Sequence, residues 1–301
     1  MKRLAQYTNG NVNVIIYDDG TKVREYEGTP APVHPESIDL KITDWCDAGC
    51  SFCHESSTTR GQHASFDTIM DIVGDLPPGV EIAIGGGDPL AHPDIVRIVQ
   101  AFTRQGLIAN ITINSIHVFQ HFEQVKSLRK CGLIYGVGVS YQSASRDASA
   151  LLAVRLIADQ NTVVHVIAGV HTPAEVMRLM RLHNKILVLG YKQYGRGIAC
   201  YSGKVEQSLA AWRYWIGPIM RSNATVCFDN LALKQLDIKN QIPEELWTRC
   251  YMGGDGTFTM YADAVRDQFA VSSTSTRMPR LGMSMQQMFQ SVRAGRLQHE
   301  I

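Results

Sequence analysis

Ile38-Asp39-Leu40-Lys41-Ile42 runs almost directly into Cys46-Asp47-Ala48-Gly49-Cys50-Ser51-Phe52-Cys53, and this junction decides how the chain reads. The short apolar run predicts a strand, and the cysteines fall in the loop at its end, where open α/β sheets and barrels place their sites. Three thiolates on one short loop can hold three irons of a cubane cluster and leave the fourth open, with Gly49 letting the backbone curl round it. A structural zinc is the competing reading, because His54 adjoins the last cysteine. Zinc asks for four Cys or His ligands, however, and no second CxxC or HxxxH partner is evident. The immediate neighbour of a ligand also rarely points at the same metal.

Outward from that loop the chain alternates strands and helices. Further strands are expected at 80–84, 108–113, 133–139, 162–170 and 185–189, making six with the first. The clearest helix spans 93–105, where Ile95, Ile98, Val99 and Phe102 share a face, Pro93 sits in the first turn and Gly106 stops it. Thr172, Pro173 and Glu175 combine an N-cap, a first-turn proline and a capping-box acid. β-Branched runs separated by helices of this length imply a parallel sheet covered by helices, built from right-handed βα units. Ahead of the core, 12–17 alternates apolar and polar, Asp18-Asp19-Gly20 turns, and 21–26 returns as an N-terminal β-hairpin. After about residue 200 the pattern loosens into a helix at 205–220, a strand at 225–228, a short helix at 231–236 and a second hairpin across 256–273. An amphipathic helix at 283–292 would cap a barrel or meet a second subunit. The expected organisation is an N-terminal hairpin over 1–35, an α/β core over 36–200 and a small α+β extension over 201–301.

With 301 residues, 45% apolar and 19% charged, the chain suits a folded α/β protein. Its net charge of +1 supplies no general pull on nucleic acid, although Lys192, Arg196 and Lys204 allow a local basic patch. No run of about 18 apolar residues appears, and the N-terminus lacks a secretory segment. A cytoplasmic location without a membrane partner is therefore expected. Seven cysteines is an odd number, and in a reducing compartment a cluster of three argues for metal rather than disulfides.

CxxxCxFC after the first strand resembles the radical S-adenosylmethionine (SAM) superfamily, and the resemblance covers residues 36–197. It implies a partial (β/α)6 barrel, a [4Fe-4S] cluster on Cys46, Cys50 and Cys53, and SAM on the open iron through its amino and carboxylate groups. It also implies an external electron donor such as flavodoxin or ferredoxin. Reduction would cleave SAM to methionine and a 5'-deoxyadenosyl radical, which abstracts hydrogen from a substrate. Gly85-Gly86-Gly87-Asp88-Pro89 resembles the family's GGE motif, with Asp88 standing where Glu is usual. The implied roles are exposed backbone at Gly86 and Gly87 and a carboxylate at Asp88 that pairs with the SAM ammonium. Alone, the same run reads as a strand-to-helix turn capped by Asp88.

Asn114 and Ser115 end the third strand and Ser140 the fourth, where the family places polar groups on the ribose or carboxylate of SAM; strand-end capping is the alternative. Phe52 and His54 flank the last cysteine and are read as approaching adenine, with a solvent-facing loop residue as the alternative for His54. Gly169 resembles the glycine that leaves room for adenine in this family, with an ordinary packing glycine as the alternative. Tyr191, Lys192 and Arg196, in the loop 191–197, suit an anionic or carboxylated group on a substrate, against the alternative of a solvated loop. Cys200, Cys227 and Cys250 do not group like an auxiliary centre, so one cluster is expected. The expected substrate is a small or medium polar molecule that is rearranged, coupled or oxidised. A sharper version is a nucleotide or modified DNA base, as in isomerisation of a substituted thymine by phage-type enzymes, and peptide maturation is another. The alternative of a different class is a non-catalytic metal-binding module.

Overall fold

The first four core strands are apolar on one face only. On β4 (Ser37–Thr43), Ile38, Leu40 and Ile42 are fully buried, whereas Asp39 and Lys41 point the other way. Ile82 and Ile84 on β5 (Glu81–Gly86) and Ile111 and Ile113 on β6 (Ile108–Asn114) repeat the pattern. A parallel sheet packed on both faces would be apolar on both. Here the apolar face meets helices and the small or polar face lines an internal space.

The computed structural model describes residues 1–142 and 147–296. Three antiparallel strands, β1 (Arg3–Asn9), β2 (Val12–Tyr17) and β3 (Lys22–Glu25), precede the main sheet. The chain then alternates β4, α1 (Phe66–Val73), β5, α2 (Ile95–Gln105), β6, α3 (Val118–Lys130), β7 (Val137–Ser140), α4 (Asp147–Ile157), β8 (Thr162–Ile167), α5 (Pro173–Leu179) and β9 (Lys185–Leu189). Next come α6 (Arg196–Cys200), α7 (Gly203–Met220), β10 (Thr225–Phe228), α8 (Asn230–Gln235) and α9 (Glu244–Cys250). β11 (Thr259–Asp263), β12 (Gln268–Ala270), β13 (Met278–Pro279) and α10 (Met285–Arg296) complete the order. The main sheet runs β10-β9-β8-β7-β6-β5-β4-β11-β12-β13. Strands β4 to β11 in that arrangement are parallel, and β12 and β13 turn back antiparallel.

The six expected strands are all present as β4 to β9, and the sheet goes further. The strand expected at 225–228 joins β9, and half of the hairpin expected at 256–273 joins β4. A six-stranded open sheet would leave two rows of unpaired backbone groups, and these additions satisfy them. At the amino end, a third strand, β1, extends the expected hairpin. Val12, Val14 and Ile16 bury a second small core with Phe258. The Asp19 carbonyl accepts from Lys185 Nζ at 2.6 Å and the Tyr17 carbonyl from the Tyr135 hydroxyl at 3.3 Å, so the β2–β3 turn closes the amino-terminal end of the barrel. α10 packs Met285, Met288, Phe289 and Val292 into the main core, and the Asp75 carboxylate accepts from the Met285 and Gln286 amides.

Candidate active site

The cysteine loop leaves β4 at its carboxyl end. Cys46, Cys50 and Cys53 are free and half-buried. Burial pushes the Cys46 thiol up to about 11, and its neighbours Cys50 and Cys53 add to the rise. The thiols therefore sense one another. Among the described residues no three Cys, His, Asp or Glu side chains converge on one ion position.

Two elements hold this loop. From the start of α6, Arg196 donates through Nε to the Cys50 carbonyl at 2.9 Å and through a terminal nitrogen to the Ser57 carbonyl at 2.9 Å, while its amide donates to Cys53. From the ends of β6 and β7, Asn114 Nδ2 lies 3.5 Å from the Cys50 sulfur, and Cys50 donates to Gln142 Oε1 at 2.9 Å. Asn114 and Gln142 are themselves bonded at 3.1 Å.

The glycine run at the end of β5 is fitted to the same loop. The Gly87 amide donates to the Thr43 carbonyl and the Asp88 amide to the Trp45 carbonyl. A Cβ at Gly86 would stand 2.3 Å from the Thr43 oxygen, and one at Gly87 2.0 Å from the Trp45 oxygen. Their lack of a side chain is thus demanded by the fold itself. Gly85 differs. It faces the cavity, and a Cβ there would meet nothing within 4 Å. No protein contact within that distance requires glycine there.

Asp88 is turned inward, unlike the SAM-facing carboxylate that the sequence implied. It is 1% exposed, with Oδ1 accepting from the Leu90 amide at 3.2 Å and Oδ2 from His121 Nε2 at 2.8 Å. That hydrogen bond, against the effect of burial, raises the His121 pKa. His117, one turn earlier on the same side of α3, donates to Asp47 inside the cysteine loop at 2.6 Å. Asp88 therefore helps lock the glycine turn to α3, and α3 to the loop.

Below these elements the barrel encloses a cavity of about 900 Å3. It reaches from His54, Gly85 and Ser140 beside the cysteine loop down to Asp19 and Gly20 in the closing turn. Burial first, and Lys192 second, pull His54 down to about 3 and His165 to about 4, so both imidazoles are neutral near pH 7. Of the residues read for a substrate, Lys192 reaches the cavity, donating to Ser273 at 2.7 Å. Arg196 is engaged by the loop carbonyls, and the buried Tyr191 hydroxyl donates to the Gly197 carbonyl. Gly169 packs against Tyr191 and Val205, and Phe52 against the hydrophobic core.

Sequence reasoning did not single out Gly85 as distinct from its neighbours. It also missed Gln142, His117, His121, Asp39 and His165. Asp39 and His165 had a local signal, being polar residues inside strands otherwise rich in Ile and Val.

Residues 40–187 match the model of the Radical SAM superfamily. Those residues are a radical SAM domain. Its cofactors, as the family implies, are a [4Fe-4S] cluster and SAM. The domain is similar in fold to SuiB of Streptococcus suis solved with its precursor peptide SuiA, with a TM-score of 0.59 and 13% identity over 86% of this chain and 65% of SuiB. The SAM-bound form of SuiB gives a TM-score of 0.59 and 12% identity over 87% and 68% of the two chains. The probable GTP 3',8-cyclase of Methanothermobacter thermautotrophicus is 35% identical over 74 residues, which are 23% of this chain and 24% of that protein. The present chain thus spans under two thirds of peptide-bound SuiB and about a quarter of the cyclase. Among the described residues no helix is long and apolar enough to cross a membrane.

Proposed function

We propose that this radical SAM enzyme abstracts hydrogen from a small polar molecule held inside the barrel. The observation that carries the reading is the cavity joined to the bare backbone at Gly85. Ligand sites usually enclose about 300–1,000 Å3, so about 900 Å3 accommodates a nucleoside-sized cofactor with a small substrate beneath it.

Cys46, Cys50 and Cys53 would hold the cluster, and Gly85, His54 and Ser140 would meet SAM. When bound and reduced, these cofactors supply a 5'-deoxyadenosyl radical for hydrogen abstraction. The chain's own contribution is to orient and to shield. Asn114, held by Gln142, would donate to the Cys50 thiolate, and Arg196 fixes the loop backbone from behind. The β2–β3 turn closes the barrel at its base. Lys192 to Ser273, with Asn230 to Asp255 at 2.7 Å, bridges the β9–β10 side to the β11–β12 side. These contacts would narrow the access of water and stray hydrogen donors to the reacting space.

The test is anaerobic reconstitution with iron and sulfide, followed by SAM and dithionite and chromatographic measurement of 5'-deoxyadenosine. Its formation is expected. An intact cluster spectrum without 5'-deoxyadenosine would overturn the reading and favour a structural metal site. Supplying nucleotides, modified DNA and peptides in the same assay ranks those substrates against small metabolites.

A further inference from the structure

Five acidic residues line the cavity, and four of them are engaged by the protein. Asp19 accepts from the Thr21 amide, and Glu81 pairs with Lys22. Glu55 takes Lys41 and the Tyr261 hydroxyl, and Asp229 takes the Gly190 and Ala232 amides. Asp39 is the fifth. Among the described residues its carboxylate makes no hydrogen bond and no ion pair, although it faces the cavity from the middle of β4.

The side chain is exposed to that internal space. Burial raises the Asp39 pKa, Lys192 opposes that rise, and Asp255 and Asp229 add to it. Lys192 favours the carboxylate charge from beyond ion-pair distance without pairing with it. A carboxylate that faces the cavity with no partner among the described residues is free to take one from a ligand. With two further carboxylates in its field, the group that completes it best is a cation. A divalent metal lacks a ligand set here, because no three acidic or imidazole side chains converge among the described residues.

Height along the barrel fixes what else the ligand must do. Asp39 lies four residues before Thr43, roughly 13 Å at about 3.3 Å per strand residue, and Thr43 adjoins the cysteine loop. Lys41, one step higher on the same face, is already held by Glu55, Asp44 and Asp263. The register neighbour of Asp39 on β5 is Ala83, whose small side chain leaves the space open.

Resting on the radical SAM reading above, we infer that Asp39 is the substrate anchor and that the substrate is a small amine. Its ammonium sits on Asp39 and its carbon skeleton extends upward to Gly85 and the cysteine loop.

The test uses three ligands of one skeleton, n-butylamine, n-butanol and butyrate, titrated into the reconstituted protein with SAM and followed by ligand-observed NMR. The amine is expected to bind at least fivefold more tightly than the alcohol or the acid. In Asp39→Asn that preference should vanish, with the cluster spectrum confirming an assembled protein, and Asp39→Ala serves if the asparagine variant fails to assemble. Equal binding of amine and alcohol, no binding of any, or a preference surviving in the variants would overturn the assignment. Preference for butyrate would also overturn it and would make Lys192 the dominant anchor. Formation of 5'-deoxyadenosine by the wild type is scored separately: its absence sinks the radical reading, whereas its presence without amine preference sinks only the role of Asp39.

Discussion

A methyl group added at Gly85 would meet no protein atom within 4 Å, whereas one added at Gly87 would stand 2.0 Å from a backbone oxygen. The two alanine variants should therefore fail differently. Gly85→Ala should fold within about 1 kcal/mol of wild type, yet intrude on a bound cofactor at a cost of about 1–3 kcal/mol, roughly tenfold or more in SAM affinity. Gly87→Ala should lose thermal stability before any ligand is added. Unchanged SAM affinity in the first variant, measured by calorimetry, would remove SAM from that strand end. Asp88 gives a further contrast. Because its carboxylate faces Leu90 and His121, Asp88→Asn should cost about 1–3 kcal/mol of stability and leave SAM affinity within a few-fold. The sign with pH follows from His121, whose folded pKa is raised. Its contribution is full below the unfolded value of 6.5 and fades as pH rises through the folded value. The stability gap between wild type and variant should therefore be wider at pH 6 than at pH 9 in urea titrations. Large loss of SAM affinity at unchanged stability would return the carboxylate to the cofactor.

α5 begins as its sequence says: the Glu175 amide donates to the Thr172 hydroxyl at 3.3 Å and the Thr172 amide to the Glu175 carboxylate at 2.6 Å. Thr172→Ala should cost about 1 kcal/mol and leave 5'-deoxyadenosine formation unchanged; a loss of turnover would mean that α5 reaches the site. Features of this kind were legible because they are local. β9 and β10 were readable to the residue, since alternation and flanking turn residues mark both ends. The strand expected at 133–139 starts only at Val137, because the Leu133 amide bonds back to Leu128 at the end of α3 and the Gly136 amide bonds the Asn110 side chain. β1 escaped notice because its inward face is Ala5, Tyr7 and Asn9, too mixed to read as alternation. The cysteine loop was readable as a motif, while its supports were not. Cys50 to Gln142 spans 92 positions and Asp88 to His121 spans 33, and such pairings exist only once the sheet has brought the strand ends together.

Across the whole molecule, one lysine ties the sheet's added edge to the active-site loop. Lys41 on β4 is 3% exposed and bonds Asp44 and Glu55 of the cysteine loop segment and Asp263 of β11. Burial alone would strip its proton, and Glu55 and Asp263 reverse that and raise its pKa. Glu55 is the complement: burial would raise it, but Lys41, then His54 and Arg277, bring it down to about 2. Tyr261 on β11 donates to Glu55, and Arg277 before β13 lies 3.4 Å from it. The network thus joins strands from both ends of the chain at the level of the cofactor loop. Lys41→Met keeps the volume and strands three carboxylates, a change that costs about 3–5 kcal/mol when a buried pair loses one partner. A depressed carboxylate stabilises above its unfolded pKa, 4.5 for Glu55, and loses that contribution as pH falls towards the folded value near 2. Urea midpoints of the metal-free chain should therefore separate wild type from Lys41→Met most widely at pH 7 and converge between pH 4.5 and 2. Equal midpoints at pH 7 would mean that the β4–β11 backbone ladder alone holds this edge, leaving the charges to position the loop without stabilising it.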